Sequence, residues 1–150
     1  MNGYNNNIME KAKIQHLEFI QNIINRMNSN SFQIKGWMIT IVSALLALFA
    51  SSNNETYIFV AAIPTLVFWF LDSYYLQQER KYRRLYEDVL QEDSAISPFS
   101  LSTKDYKGGR FCLWNSFISP TIALLYGIVF LLLVMLYLIF KFGICSIIIN

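Results

Sequence analysis

Three stretches of this chain carry no charged side chain: residues 36–54, 56–71 and 111–140, which are 19, 16 and 30 residues long. A hydrocarbon core of roughly 30 Å is crossed by about 20 apolar residues as helix, with roughly 17 as the lower limit. The third stretch exceeds that length. The first, taken from Gly36 to Ser52, just meets it, and the second, from Thr56 to Leu71, either extends past its charged ends or turns back as a re-entrant segment. Buried core helices are the soluble alternative. It fails on composition, because 55% of the 150 residues are apolar and only 15% are charged, against about a quarter charged in soluble domains. Too little polar surface is left to cover three such segments. The expected fold class is therefore an all-α integral membrane protein.

Its expected organisation has four parts. Residues 1–35 form an N-terminal cytoplasmic amphipathic helix, 36–71 a helical transmembrane hairpin, 72–115 a cytoplasmic basic helix and loop, and 116–150 a C-terminal transmembrane segment. The N-terminal helix is read from Leu17, Ile20, Ile24 and Met27, whose spacing of three and four defines one apolar face. Lys11, Lys13, Glu18 and Asn22 lie opposite. Such a helix either lies flat on the membrane or packs against a neighbour. The polar run Asn28 to Ser31 is expected to break or bend it, with Ser31 as an N-cap.

The polar sequence SSNNE joins the first two segments, and the second contains Pro64, which membrane helices tolerate with a kink. Beyond Asp72 no breaker occurs until Ser94 to Pro98, so the second helix is expected to continue through YYLQQERKYRRLYEDVLQED. From Asp72 to Leu90 it would project by roughly 28 Å at 1.5 Å per residue. Glu79 with Arg83, Arg83 with Glu87, and Arg84 with Asp88 are oppositely charged pairs at i,i+4. Residues 91–113 read as a loop in which a short strand or hairpin has room, with Gly108-Gly109 as a turn. Pro120 suits the first turn of the third segment, and the tail FGICSIIIN extends it.

Eleven of the twelve basic residues fall on one side of this arrangement: Lys11, Lys13, Arg26, Lys35, Arg80, Lys81, Arg83, Arg84, Lys104, Lys107 and Arg110. Only Lys141 lies on the other. Because Lys and Arg near short loops hold those loops in the cytoplasm, the N-terminus and residues 72–115 are expected inside and the C-terminus outside, in an inner-membrane, multi-pass protein. The polar start shows no cleavable signal sequence. Cys112 and Cys145 flank the third segment, an arrangement that disfavours a bridge.

Several residues are candidates for function. Gly36, Thr40, Ser43, Ala47 and Ser51 form one narrow face of the first segment, suited to close helix packing or to lining a pore. Lys35 and Asp72 are expected at the same depth on antiparallel segments, as a structural ion pair or a gate. Arg80, Lys81, Arg83 and Arg84 offer a basic cluster to lipid headgroups, or alternatively to RNA or a nucleotide messenger. Trp37, Phe68, Trp69, Phe70, Tyr74 and Tyr75 read as an interfacial aromatic belt. His16 stands alone, without a metal-ligand pattern or an arginine five residues before it, where Lys11 is found. No phosphate loop occurs. Neither an enzyme nor a cofactor is expected, and a net charge of +2 gives no reason to expect direct DNA binding.

Two blocks, NSFQIKGWMITIVSALLALFA from Asn30 to Ala50 and FWFLDSYYLQQERKYRRLY from Phe68 to Tyr86, resemble small bacterial membrane proteins of antiviral defence loci. The membrane accessory proteins of type VI-B CRISPR systems are the most similar. The resemblance implies a homo-oligomer that forms or controls a pore and depolarises the inner membrane, activated alongside an RNA-guided nuclease. The Arg-x4-His motif associated with that family is missing, so RNA cleavage is not implied, and the apolar last third departs from a cytosolic C-terminal domain. A defence system signalling by cyclic nucleotides fits equally well. Membrane lipids and further copies of the chain are the other expected partners. The alternative function is a membrane-anchored sensor or binding subunit that recruits a partner or binds a nucleotide signal through its cytoplasmic region.

Overall fold

A computed structural model describes residues 2–91 and 96–149, with side chains for 7–91 and 96–143. Among the described residues four α-helices carry the fold: α1 (Asn2–Ser52), α2 (Thr56–Leu90), the short α3 (Leu113–Phe117) and α4 (Pro120–Ile149). Three of them, α1, α2 and α4, contain stretches long and apolar enough to cross a membrane. There is no strand among the described residues, so residues 96–113 hold no hairpin. A three-residue 3-10 turn, Gly109–Phe111, stands there instead.

The break expected at Asn28 to Ser31 does not occur, and α1 runs through it without interruption. Asn and Ser cost only a few tenths of a kcal/mol each inside a helix, less than a helix regains by avoiding two new ends with their orphaned backbone groups. Pro64 is accommodated inside α2. The α1–α2 connection uses its asparagines in two distinct ways. Asn53 takes the left-handed conformation, φ 51°, and its amide bonds back to the Phe49 carbonyl at 2.8 Å, closing α1 as such a residue does at a helix C-terminus. Asn54 Oδ1 then accepts the Thr56 amide at 3.0 Å and caps α2.

The contacts divide into two units, which share α1 and α2. The first, residues 1–31 and 74–116, has a core of Ile20, Ile24, Leu85 and Val89, with Leu17, Tyr82, Tyr86, Ile96 and Tyr106 packed against it. The spacing of three and four on both helices puts these side chains on facing stripes. Each large aliphatic buried there contributes about 1.5–3 kcal/mol. Lys13 departs from the solvent face assigned to it, since its Nζ donates to the Leu90 and Gln91 carbonyls at 3.0 and 3.2 Å. It thereby satisfies the C-terminal end of α2, where a cation is favoured.

His16 is buried, and its Nε2 lies 2.9 Å from the Ser100 carbonyl, to which it donates. This bond ties the 97–100 turn to α1. In that turn Phe99 has φ 62°, a conformation ordinarily left to glycine. Its ring lies 5.9 Å from that of His16 and 6.1 Å from Phe19.

The second unit comprises residues 32–73 and 117–150. Its buried side chains are Met38 and Val42 of α1, Ile58, Ala61, Thr65, Asp72 and Ser73 of α2, and Ile122, Tyr126 and Leu133 of α4. Edge-on aromatic pairs, Phe49 with Phe140 and Phe59 with Tyr137, join the same helices. Ser119 precedes Pro120 and accepts the amides of Ile122 and Ala123 on its carbonyl, so proline occupies the first helical position, where no donor is required.

Candidate functional sites

In the second unit, Lys35 Nζ and Asp72 Oδ2 are 2.6 Å apart. Asp72 is wholly buried, whereas about a quarter of the Lys35 side chain, 24%, remains exposed. Burying a carboxylate is tolerated only when a cation and further donors replace its water. The Tyr126 hydroxyl of α4 faces Asp72, so all three long helices contribute to one polar knot.

Aromatic packing adjoins the knot. The Trp69 ring stacks on Phe117 at 4.4 Å with 7° between planes, and lies 6.0 Å from Tyr126. Its Nε1 donates to the Phe117 carbonyl at 3.1 Å. Trp69 is therefore a packing residue, in contrast to Trp37, Phe70 and Tyr74, which are exposed. Ser73 and Thr65 turn their hydroxyls back to the carbonyls of Trp69 and Ala61, which leaves neither hydroxyl a stranded donor.

Gly36, Thr40, Ser43, Ala47 and Ser51 are all exposed. The face of α1 that packs inside this unit is a different one, carried by Met38 and Val42. Around Gly36 an added Cβ would meet nothing within 4 Å. Thr40 Oγ1 donates to the Gly36 carbonyl at 2.9 Å. The small residues thus form an exposed strip along the helix.

In the first unit the basic cluster of α2 meets a residue that the sequence did not group with it. A cleft of about 260 Å³ is lined by Arg80, Arg83, Arg84, Glu87, Arg110 and Phe111; Lys81 is not part of it. The Gly109–Phe111 turn brings Arg110 there. Gly108 and Gly109 adopt φ 72° and 51°, and the first, with ψ 178°, is in a region that only glycine occupies readily.

The turn is pinned on three sides. Gln77 Nε2 donates to the Phe111 carbonyl at 2.7 Å, Asn115 Nδ2 to the Gly109 carbonyl at 2.6 Å, and Arg80 to the carbonyls of Arg110 and Asn115 and the Ser116 hydroxyl. Burial, and then the neighbouring Arg110 charge, push the Arg80 guanidinium below its ordinary range, with Glu79 opposing the shift. Arg83 pairs with Glu79 at 2.7 Å, and Arg84 with Glu87 and Asp88 at 3.4 and 3.1 Å. The pairing of Arg83 with Glu87 does not form, because Glu79 holds the Arg83 Nε and Arg84 reaches Glu87. Arg110 is exposed and has no ion pair among the described residues.

Gly108-Gly109 followed directly by arginine was the only local signal for this juxtaposition. Cys112 is a free thiol, half-buried, while the Cys145 side chain lies outside those described. No grouping of three or more metal-ligating residues occurs among the described residues. Comparison with protein-family models, with curated proteins and with solved structures finds no match to this chain.

Proposed function

We propose that this chain is a multi-pass membrane protein that self-associates within the bilayer and permeabilises or depolarises the membrane as an effector of bacterial antiviral defence. The observation that carries the self-association is the open strip Gly36, Thr40, Ser43, Ala47, Ser51, exposed along α1 while the helix packs inside its own unit through Met38 and Val42. In lipid, helices associate by close backbone approach and by hydrogen bonds between hydroxyl side chains, both of which such a strip provides. The defence context comes from the resemblance of the two sequence blocks. The charge asymmetry supports an inner-membrane orientation with the N-terminus and residues 72–115 in the cytoplasm and the C-terminus outside.

In this reading α1, α2 and α4 are the spans, held in register by the Lys35–Asp72–Tyr126 knot, and the strip of α1 meets the same strip or another face of a second copy. Small residues leave room either for tight contact or, in a ring of copies, for a narrow hydroxyl-lined path.

The test is a pair of measurements on the full chain. Ala47→Leu and Ser43→Leu add bulk to an exposed strip, so the single chain should fold as before while the oligomer seen by detergent-solubilised mass measurement dissociates. Induced expression of the unaltered chain under the activating condition should collapse membrane potential, and the two variants should not. A monomeric parent chain, or unchanged potential on its activation, refutes the proposal.

A further inference from the structure

We infer that the cleft between Arg83, Arg84 and Arg110, walled by Phe111, is a binding site for a phosphate-bearing anion. The inference does not depend on self-association. It starts from the way two separate segments deliver like charges to one place: Arg83 and Arg84 come from α2, and Arg110 from the glycine turn nearly thirty residues later in the chain. Unrelieved, the approach of guanidinium groups is unfavourable, and the structure nevertheless fixes Arg110 there by bonding Arg80 to the Arg110 backbone carbonyl.

The cleft lining carries four arginines against one carboxylate, Glu87. The roles within it differ. Arg80 is committed to carbonyls and to the Ser116 hydroxyl, so it is a positioning residue that holds the turn. Arg83 and Arg84 are about half exposed, 56% and 49%. Their pairings with Glu79, Glu87 and Asp88 fix where the guanidinium groups sit and leave N–H donors to spare, since each group has five. Arg110 brings a whole unshared guanidinium.

Planar guanidinium forks match the oxygens of a phosphate in pairs, and such charge-assisted bonds are roughly twice as strong as neutral ones. A carboxylate ligand would use one fork, whereas three arginines lining one cleft suit the three or more oxygens of a phosphate or diphosphate. The half-buried Phe111 ring, packed 5.7 Å from Tyr106, closes one side against water and strengthens the charge interactions. The same chemistry is offered by an anionic lipid headgroup and by a soluble phosphate compound.

Both sources are separable with the full chain in lipid nanodiscs. In discs of phosphatidylcholine alone, inorganic pyrophosphate should bind saturably and protect the 108–112 amides from hydrogen exchange. Arg110→Gln should weaken that binding by roughly tenfold or more, the loss of one bond to a charged group, and Lys104→Gln should leave it unchanged. This result identifies a soluble phosphate as the ligand class.

In discs containing phosphatidylglycerol, native mass spectrometry should instead show that lipid retained in preference to phosphatidylcholine by the parent chain and not by Arg110→Gln, if a headgroup is the ligand. Arg84→Gln serves as the second variant in both arms. Arg84 and Arg110 are exposed, so neither change removes packing, and an unaltered melting curve checks this. The inference is overturned if neither probe binds, or if whatever binds is indifferent to both arginine substitutions.

Discussion

Lys35→Met should destabilise the protein far more than Asp72→Asn, although the two changes break the same ion pair. Removing the lysine leaves a carboxylate with no exposed surface and no cation at 2.6 Å. The loss of one partner from a buried pair costs about 3–5 kcal/mol, most of it the penalty of the stranded charge. Removing the carboxylate leaves a lysine with 24% of its side chain already exposed. Its stem can carry the ammonium to the surface, so a cost of about 1–2 kcal/mol is expected, that of one bond to a charged group. For a chain of this size a kcal/mol corresponds to roughly 2–4 °C in melting temperature. Lys35→Met should therefore melt some 6–20 °C lower, and Asp72→Asn only a few degrees lower, when the helical circular dichroism signal is followed in detergent. The double variant Lys35→Met with Asp72→Leu, which strands no charge, should recover most of the loss. Equal, small shifts for both single variants would show that the pair is solvated and contributes nothing to the packing of α1, α2 and α4.

Two further outcomes concern the first unit. The Tyr106 hydroxyl donates to Asp88 at 2.7 Å, and burial, with that bond, pushes its pKa up to about 12 from the ordinary 10. The folded state therefore holds this proton more tightly than the unfolded chain. Its contribution is complete below pH 10 and is lost as the pH rises from about 10 to 12, so denaturant titrations of Tyr106→Phe should lack that part of the alkaline decline. At Phe99, with φ 62°, Phe99→Ala keeps the strained backbone and loses the ring contacts to His16 and Phe19, whereas Phe99→Gly also relieves the strain. Glycine should be the more stable of the two variants by about 1 kcal/mol in the same titration, at the low end for a strained conformation. Alanine equal to or better than glycine would mean that the turn relaxes and holds no strain.

The difference between what could and could not be read from the chain follows the range of the interactions. The charge-free stretches identify the three long apolar helices because a span depends on local composition alone. The continuity of α1 through Asn28 to Ser31 is not legible in residue type, because weak helix formers look like breakers until the cost of the two helix ends that a break would create is set against them. Lys35 and Asp72 could be matched from their places at the ends of two segments. The depth of burial of Asp72 could not, because it arises from tertiary packing that brings in residues as remote as Tyr126, more than fifty positions further on and surrounded by ordinary apolar sequence. His16 has no metal-ligand company in the sequence, yet a lone histidine can serve through one ring nitrogen, and its acceptor at Ser100 is backbone, which leaves no trace in residue type.

The arginine cleft shows the same limit from the other side. Arg80, Arg83 and Arg84 are legible as a cluster since a spacing of three and four puts them on one face of a helix, but that convex face alone makes no cleft and leaves Arg83 and Arg84 beside carboxylates of their own. What makes a concave site is the Gly109–Phe111 turn, whose position requires two residues in conformations open to glycine and three side chains donating to its carbonyls. Gln77, Arg80 and Asn115 are therefore as much a part of the site's construction as the arginines that face the cleft. Replacing Gln77 or Asn115 should move Arg110 without removing a charge from the cleft. Gln77→Ala, in particular, frees the Phe111 carbonyl and leaves all four arginines in place, so pyrophosphate affinity falling with that substitution would separate a site built by geometry from a patch that attracts anions by charge alone.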